Sequence, residues 1–200
     1  MTLLTICQAI AKNTGAAVPT AVAASTTREH VEMVQCVNEA AQDAARRVDW
    51  GKLSASTTLT GTGAATTHAM PSGFARLVKG VAILNASNAV VRPVTRAEWD
   101  FLTPSQGVPR YYLMEGAQIR FWPYLANAAT ATAYYQSENW CSNGASSFTA
   151  DDDTSTIPEQ VVTKGAISRW RRLKGLDFTD HEAEYEAALN DYASFDDGGA

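Results

Sequence analysis

The sequence predicts an α+β protein: an α-helical bundle built from the N- and C-terminal segments, with a small antiparallel β domain inserted into it. Three observations predict this. Helix-start signals gather at the two ends, at Thr2, Thr26 with Glu29, Thr156 with Glu159, and Thr179 with Glu182. Between them, from Ser56 to about Ala150, short β-rich runs are punctuated by Gly, Pro and Asn. Of the 200 residues 46% are apolar, enough for a buried core and too many for a disordered chain. The expected bounds are residues 1–54 and 156–195 for the bundle, 55–155 for the β insert and 196–200 for a flexible tail.

At the N-terminus Thr2 caps a helix over Leu3–Asn13, with Leu3, Ile6, Cys7 and Ile10 along one stripe and Gly15 as its stop. A linker holding Pro19 follows. The box of Thr26 and Glu29 opens a second helix that runs to about Asp49, in which Val31, Val34, Ala41 and Val48 recur at helical spacing. Its many alanines permit close helix–helix approach. The β runs are Ser56–Thr62, Thr66–Met70, Leu77–Leu84, Ala89–Pro93, Arg110–Glu115, Gln118–Trp122 and Ala129–Ser137. Glu115-Gly116-Ala117 reads as a tight hairpin turn. Thr95 with Glu98 caps one helical turn carrying Trp99, Phe101 and Leu102. The box of Thr156 and Glu159, with Pro158 in the first turn, opens a helix to Lys174, and Gly175 stops it. Thr179 and Glu182 open the last helix, to about Ser194.

Charged residues make up only 18% of the chain, below the roughly 25% of an ordinary soluble domain, which favours buried subunit contacts. A net charge of −5 argues against a general nucleic-acid binder. No run of apolar residues reaches the length of a membrane span, and MTLLTICQAIAKN is too polar for a signal peptide, so a cytosolic product is expected. Cys7, Cys36 and Cys141 form no CxxC pair and read as small buried hydrophobes. His30, His68 and His181 stand alone, without metal-ligand spacing. There is no GxSxG, GxxxxGK[ST] or GxGxxG, and Asp151-Asp152-Asp153 lacks the glycine and distal glutamate of a calcium loop. No catalytic residue, metal or cofactor is expected.

Charge is segregated at the C-terminal end. The helix from Pro158 to Lys174 carries Lys164, Arg169, Arg171, Arg172 and Lys174, whereas Leu176–Ala200 carries eight acidic residues, Glu182 and Glu186 among them, and no Lys or Arg. Helix dipoles account for part of this. The rest fits pairing within one chain, or contacts of Arg169, Arg171, Arg172, Glu182 and Glu186 with a neighbouring copy or partner. Along the last helix Tyr185, Leu189, Tyr192 and Phe195 recur every three or four residues, an anchor for the bundle or for a groove on a partner.

These residues resemble the head-to-tail connector (adaptor) proteins of tailed bacteriophages over nearly the whole chain. The likeness runs through Asp49-Trp50-Gly51-Lys52-Leu53, then Met70-Pro71-Ser72-Gly73-Phe74-Ala75-Arg76, similar to the family's LP-x-D-F-x-R segment with Met70 for Leu and Gly73 for Asp. Gly107-Val108-Pro109-Arg110-Tyr111-Tyr112 and Ile119-Arg120-Phe121-Trp122-Pro123 follow, then Tyr134-Tyr135 and Ile157-Pro158-Glu159 opening a basic helix. The resemblance implies a helical bundle with an inserted β domain. It also implies a structural virion protein, not an enzyme: a ring of neighbouring copies, commonly twelve, beneath the portal protein at the head–tail junction. A downstream neck or tail protein lies below, and double-stranded DNA passes through without specific binding. On that reading Tyr185, Leu189, Tyr192 and Phe195 bind the portal. The alternatives are a neck or tail-completion protein one layer further from the portal, and a cell-surface binding module prompted by Trp99, Trp122 and Trp140.

Overall fold

The computed structural model describes residues 1–64 and 67–197. Among these residues the helices in chain order are α1 (Leu3–Thr14), α2 (Arg28–Arg47), α3 (Arg96–Asp100), α4 (Glu159–Leu173) and α5 (Thr179–Asp197), with a 3-10 turn at Gly51–Leu53. The strands are β1 (Ser54–Thr60), β2 (Thr67–Ala69), β3 (Phe74–Leu77), β4 (Ile83–Asn85), β5 (Arg92–Pro93), β6 (Gln106–Gly107), β7 (Tyr111–Glu115), β8 (Gln118–Trp122), β9 (Tyr124–Leu125) and β10 (Thr130–Ser137). The fold is α+β with helices at both ends, and the chain divides into a helical unit, Met1–Leu53 with Glu138–Ala200, and a β unit, Ser54–Ser137.

In the helical unit α4 packs against α1, α2 and α5. It can do so because Val161, Val162, Gly165, Ala166, Ser168 and Trp170 bury several of its sides at once. Ile6 and Ile10 of α1 and Met33, Val37, Ala40, Ala41 and Ala44 of α2 complete the core. The alanines of α2 thus lie in the chain's own bundle. The segment 138–155, expected in the β block, belongs to this unit. Trp140 and Phe148 meet edge to face at 4.9 Å inside the helical core, and Asp151 Oδ1 accepts from the backbone N–H groups of Val22 and Ala23, both at 2.9 Å.

The β unit holds two four-stranded sheets. In one, β10 pairs antiparallel with β1, β3 and β4; in the other the order is β2-β8-β7-β5. The pairs are antiparallel except β5 with β7 and β6 with β9, which are parallel. Alternation along β10 turns Ala131 and Ala133 into a core with Ile83, Tyr112, Ile119, Phe121 and Leu125. Gly61 admits no side chain, since a Cβ there would stand 2.3 Å from the Ala126 carbonyl oxygen. The β7–β8 hairpin turns at Gly116-Ala117, between paired Glu115 and Gln118.

Several expected details differ. The run Leu77–Leu84 divides into the end of β3 and the start of β4, and β6 and β9 are added, each two residues long. Thr66, at the start of an expected strand, lies outside the described residues, as do residues 198–200 of the expected tail. The backbone of 196–197 continues α5. Of the expected capping boxes, the one at Thr95 and Glu98 forms in full. At α2 the cap position falls on Thr27, whose side chain makes no capping bond. Thr156 instead donates its hydroxyl to the Trp140 carbonyl at 2.8 Å, and Glu159 pairs with the Met1 ammonium. Thr179 lies within α5; its N–H donates to Asp177 Oδ1 at 3.1 Å, and Glu182 turns to Arg172.

Candidate functional site

The predicted docking stripe of α5 is split by the packing of the bundle. Tyr185 is 3% exposed and Leu189 2%, both in the core of the helical unit. The Tyr185 hydroxyl donates to Asp43 Oδ2 at 2.8 Å, and Arg169 donates to the same oxygen at 2.9 Å. Burial, with the Asp43 carboxylate, raises the Tyr185 pKa above its ordinary value. Gly165 makes room for the ring, since a Cβ there would stand 2.9 Å from Tyr185 Cε2. Of the four residues expected to form one partner-facing stripe, Tyr185 and Leu189 thus lie in the core of the helical unit, where Asp43 of α2 and Gly165 of α4 meet the Tyr185 hydroxyl and ring. Tyr192 is half-buried against the same core, and Phe195 is 78% exposed. Trp50, Lys52, Ile157, Pro158, Glu159, Tyr192 and Phe195 border a groove of about 350 Å³.

The segregated charges meet mostly within the chain. Arg172 pairs with Glu182 at 2.6 Å and Lys174 with Glu32 at 2.6 Å. Arg47 holds Glu186 through two hydrogen bonds, at 2.6 and 2.5 Å, and this contact keeps the Glu186 carboxyl below its ordinary pKa. Arg169 is held by Asp43, and Arg171 donates to the Asp177 carbonyl and to Asn13. These contacts all lie within the chain. Past Glu186 the acidity has no such outlet: Asp191 is exposed and makes no ion pair among the described residues.

The β unit presents a second surface that the sequence reading did not single out. Asn85, Ala89, Val90, Arg92, Val108 and Arg110 border a pocket of about 360 Å³. Asn85 is buried and fixes the pocket wall, with its Oδ1 accepting from Ser87 N at 2.9 Å and Ala89 N at 3.0 Å. The Arg92 N–H donates to the Arg110 carbonyl at 2.9 Å, which sets the two side chains on neighbouring strands. Both guanidinium groups are exposed and free of ion pairs among the described residues. The sequence signal was an Arg two residues after an exposed Val in each segment; only the β5–β7 pairing joins them.

Burial pushes the Cys7 thiol up to about 12 and the Cys36 thiol to about 11, so both stay protonated at neutral pH. Among the described residues no three His, Cys, Asp or Glu side chains gather to hold a metal ion, and no helix is long and apolar enough to cross a membrane. Among the described residues, exposed apolar side chains stand beside charges without an ion pair at two places, Phe195 with Asp191 and Val90 and Val108 with Arg92 and Arg110. The family model described as SU10 adaptor protein matches residues 1–200. No curated protein matches the chain.

Proposed function

Because the chain belongs to the SU10 adaptor protein family, a family of phage head–tail adaptors, we propose that it forms a ring, of twelve copies, attached below the portal. It is a virion protein that joins other phage head and tail proteins. In the proposed ring it is purely structural, with the portal on one side and a neck or tail protein on the other, and the DNA channel runs through its centre. The observation that carries this reading is the family match over the full 1–200 span. Two features support it. The chain is poor in charge, as suits a subunit with much of its surface against neighbours. Its net charge of −5 lets duplex DNA slide without being gripped.

The test is genetic and structural. Phage lacking the chain should accumulate DNA-filled heads that fail to join tails, and adding the purified protein should restore joining. A reconstruction of the virion should show a ring of copies touching the portal. Density one layer further out would instead support a neck or tail-completion role, and one or two copies per particle would overturn the ring.

A further inference from the structure

The end of α5 and the arginine pocket of the β unit are opposite in charge, and each exposes apolar surface. We propose that they meet between copies, with Phe195 of one subunit seated in the Arg92–Arg110 pocket of a second copy. The inference rests on the adaptor reading and names the occupant of the part of the stripe that the bundle leaves uncovered.

On the donor side, residues 176–200 contain no Lys or Arg. Glu182, Glu184 and Glu186 are engaged within the chain by Arg172, Lys164 and Arg47. Asp191 is exposed four residues before the exposed Phe195 ring, and Asp196 and Asp197 follow it in the sequence. On the receiving side Val90 and Val108 are 50% and 60% exposed, beside two free guanidinium groups on a wall that Asn85 holds in place. A guanidinium matches a carboxylate through paired N–H donors and stacks on an aromatic face. The pocket is already formed, so little ordering is needed on that side. Knob and pocket lie on different parts of the chain, so the contact is heterologous. Each copy offers its helix end to the next, the head-to-tail arrangement that a ring of copies requires.

The test uses heads carrying the assembled adaptor. Phe195→Cys and Val108→Cys variants are mixed, added to adaptor-free heads and oxidised. The expected product is a disulfide-linked pair that neither variant gives alone, and the double variant should give a ladder of linked copies. Arg92→Glu with Arg110→Glu should cut the cross-link about tenfold, and reversing Asp191, Asp196 and Asp197 to Lys in the partner should restore it. A synthetic peptide of residues 186–200 should bind the wild-type chain and lose about tenfold affinity to the arginine variant. Three results overturn the proposal: both variants attach without cross-linking, the double variant links only within one chain, or Phe195→Cys fails to attach where wild type does. The last result would place the helix end against the portal. Failure of wild type itself to attach would count against the adaptor reading instead.

Discussion

Asp43 Oδ2 accepts from the Tyr185 hydroxyl at 2.8 Å and from Arg169 at 2.9 Å, so side chains of α4 and α5 converge on one carboxylate of α2. Removing the hydroxyl leaves that oxygen with one partner fewer in a partly buried place. Tyr185→Phe should therefore lower stability by about 1.5–3 kcal/mol, read as an earlier urea midpoint at unchanged slope. Acid should act on different groups. The backbone N–H groups of Thr149 and Ala150 hold Asp153 below its ordinary pKa of 3.8, and Arg47 holds Glu186 below 4.5. A depressed folded-state pKa gives stability that is present above the unfolded value and lost as pH falls through the folded one. The melting temperature should thus drop below about pH 4.5, and Asp153→Asn, already less stable at pH 7, should show a smaller drop. A variant curve parallel to wild type would show that Asp153 has no part in it. Tyr185 was legible in the sequence as a stripe residue. Its partner, 142 positions away, was not, because local spacing carries no information on which helix covers which.

At the scale of elements, α4 is the piece the helical unit cannot lose. Trp170 is 1% exposed among residues of α4's neighbours, and Lys174 stands 4.4 Å over its ring. Trp170→Ala should cost about 3–5 kcal/mol. Phe195→Ala, at the exposed end of α5, should change stability by no more than about 0.5 kcal/mol. Paired denaturation curves separate the two, and a large loss at Phe195 would mean that the helix end is part of the core. Helix existence was readable because apolar spacing and stop glycines are local. Cap chemistry was readable at α1, where the Thr2 hydroxyl accepts from the Thr5 N–H and Gly15 ends the helix, and at α3, where the box of Thr95 and Glu98 is exposed and nothing competes for it. At α4 and α5 the same residue pattern was diverted, to the Trp140 carbonyl, the Met1 ammonium and Arg172. β6 and β9 escaped notice for another reason: two residues are too few to show a period.

Over the whole molecule, the order helical–β–helical followed from composition and periodicity, but the later boundary did not. Residues 138–155 have the Gly, Ser and Asn content of the β block's turns, and their membership is decided by Trp140 and Phe148, which enter the helical core. Aromatic residues in a loop reveal that they are buried somewhere, not where. Net charge is a property of the same scale. At about 150 mM salt the free chain should show no binding to a duplex at concentrations up to about 100 µM, read by fluorescence anisotropy. Micromolar binding with a steep salt slope would mean that cations are concentrated on one face. The pairing of Ser54 with Gln136 brings the two ends of the β unit side by side. A linker of about four residues can therefore span the gap when 54–137 is removed. The residues that form the helical core all lie outside that segment, Trp50, Trp140 and Trp170 among them. We propose that the helical unit folds without the insert. The excised chain should keep its helical far-UV signal, a fixed near-UV tryptophan signal and a single cooperative transition. Loss of the near-UV signal with helix content retained would show that the core needs the β unit to set its packing, and the division into two folding units would fail.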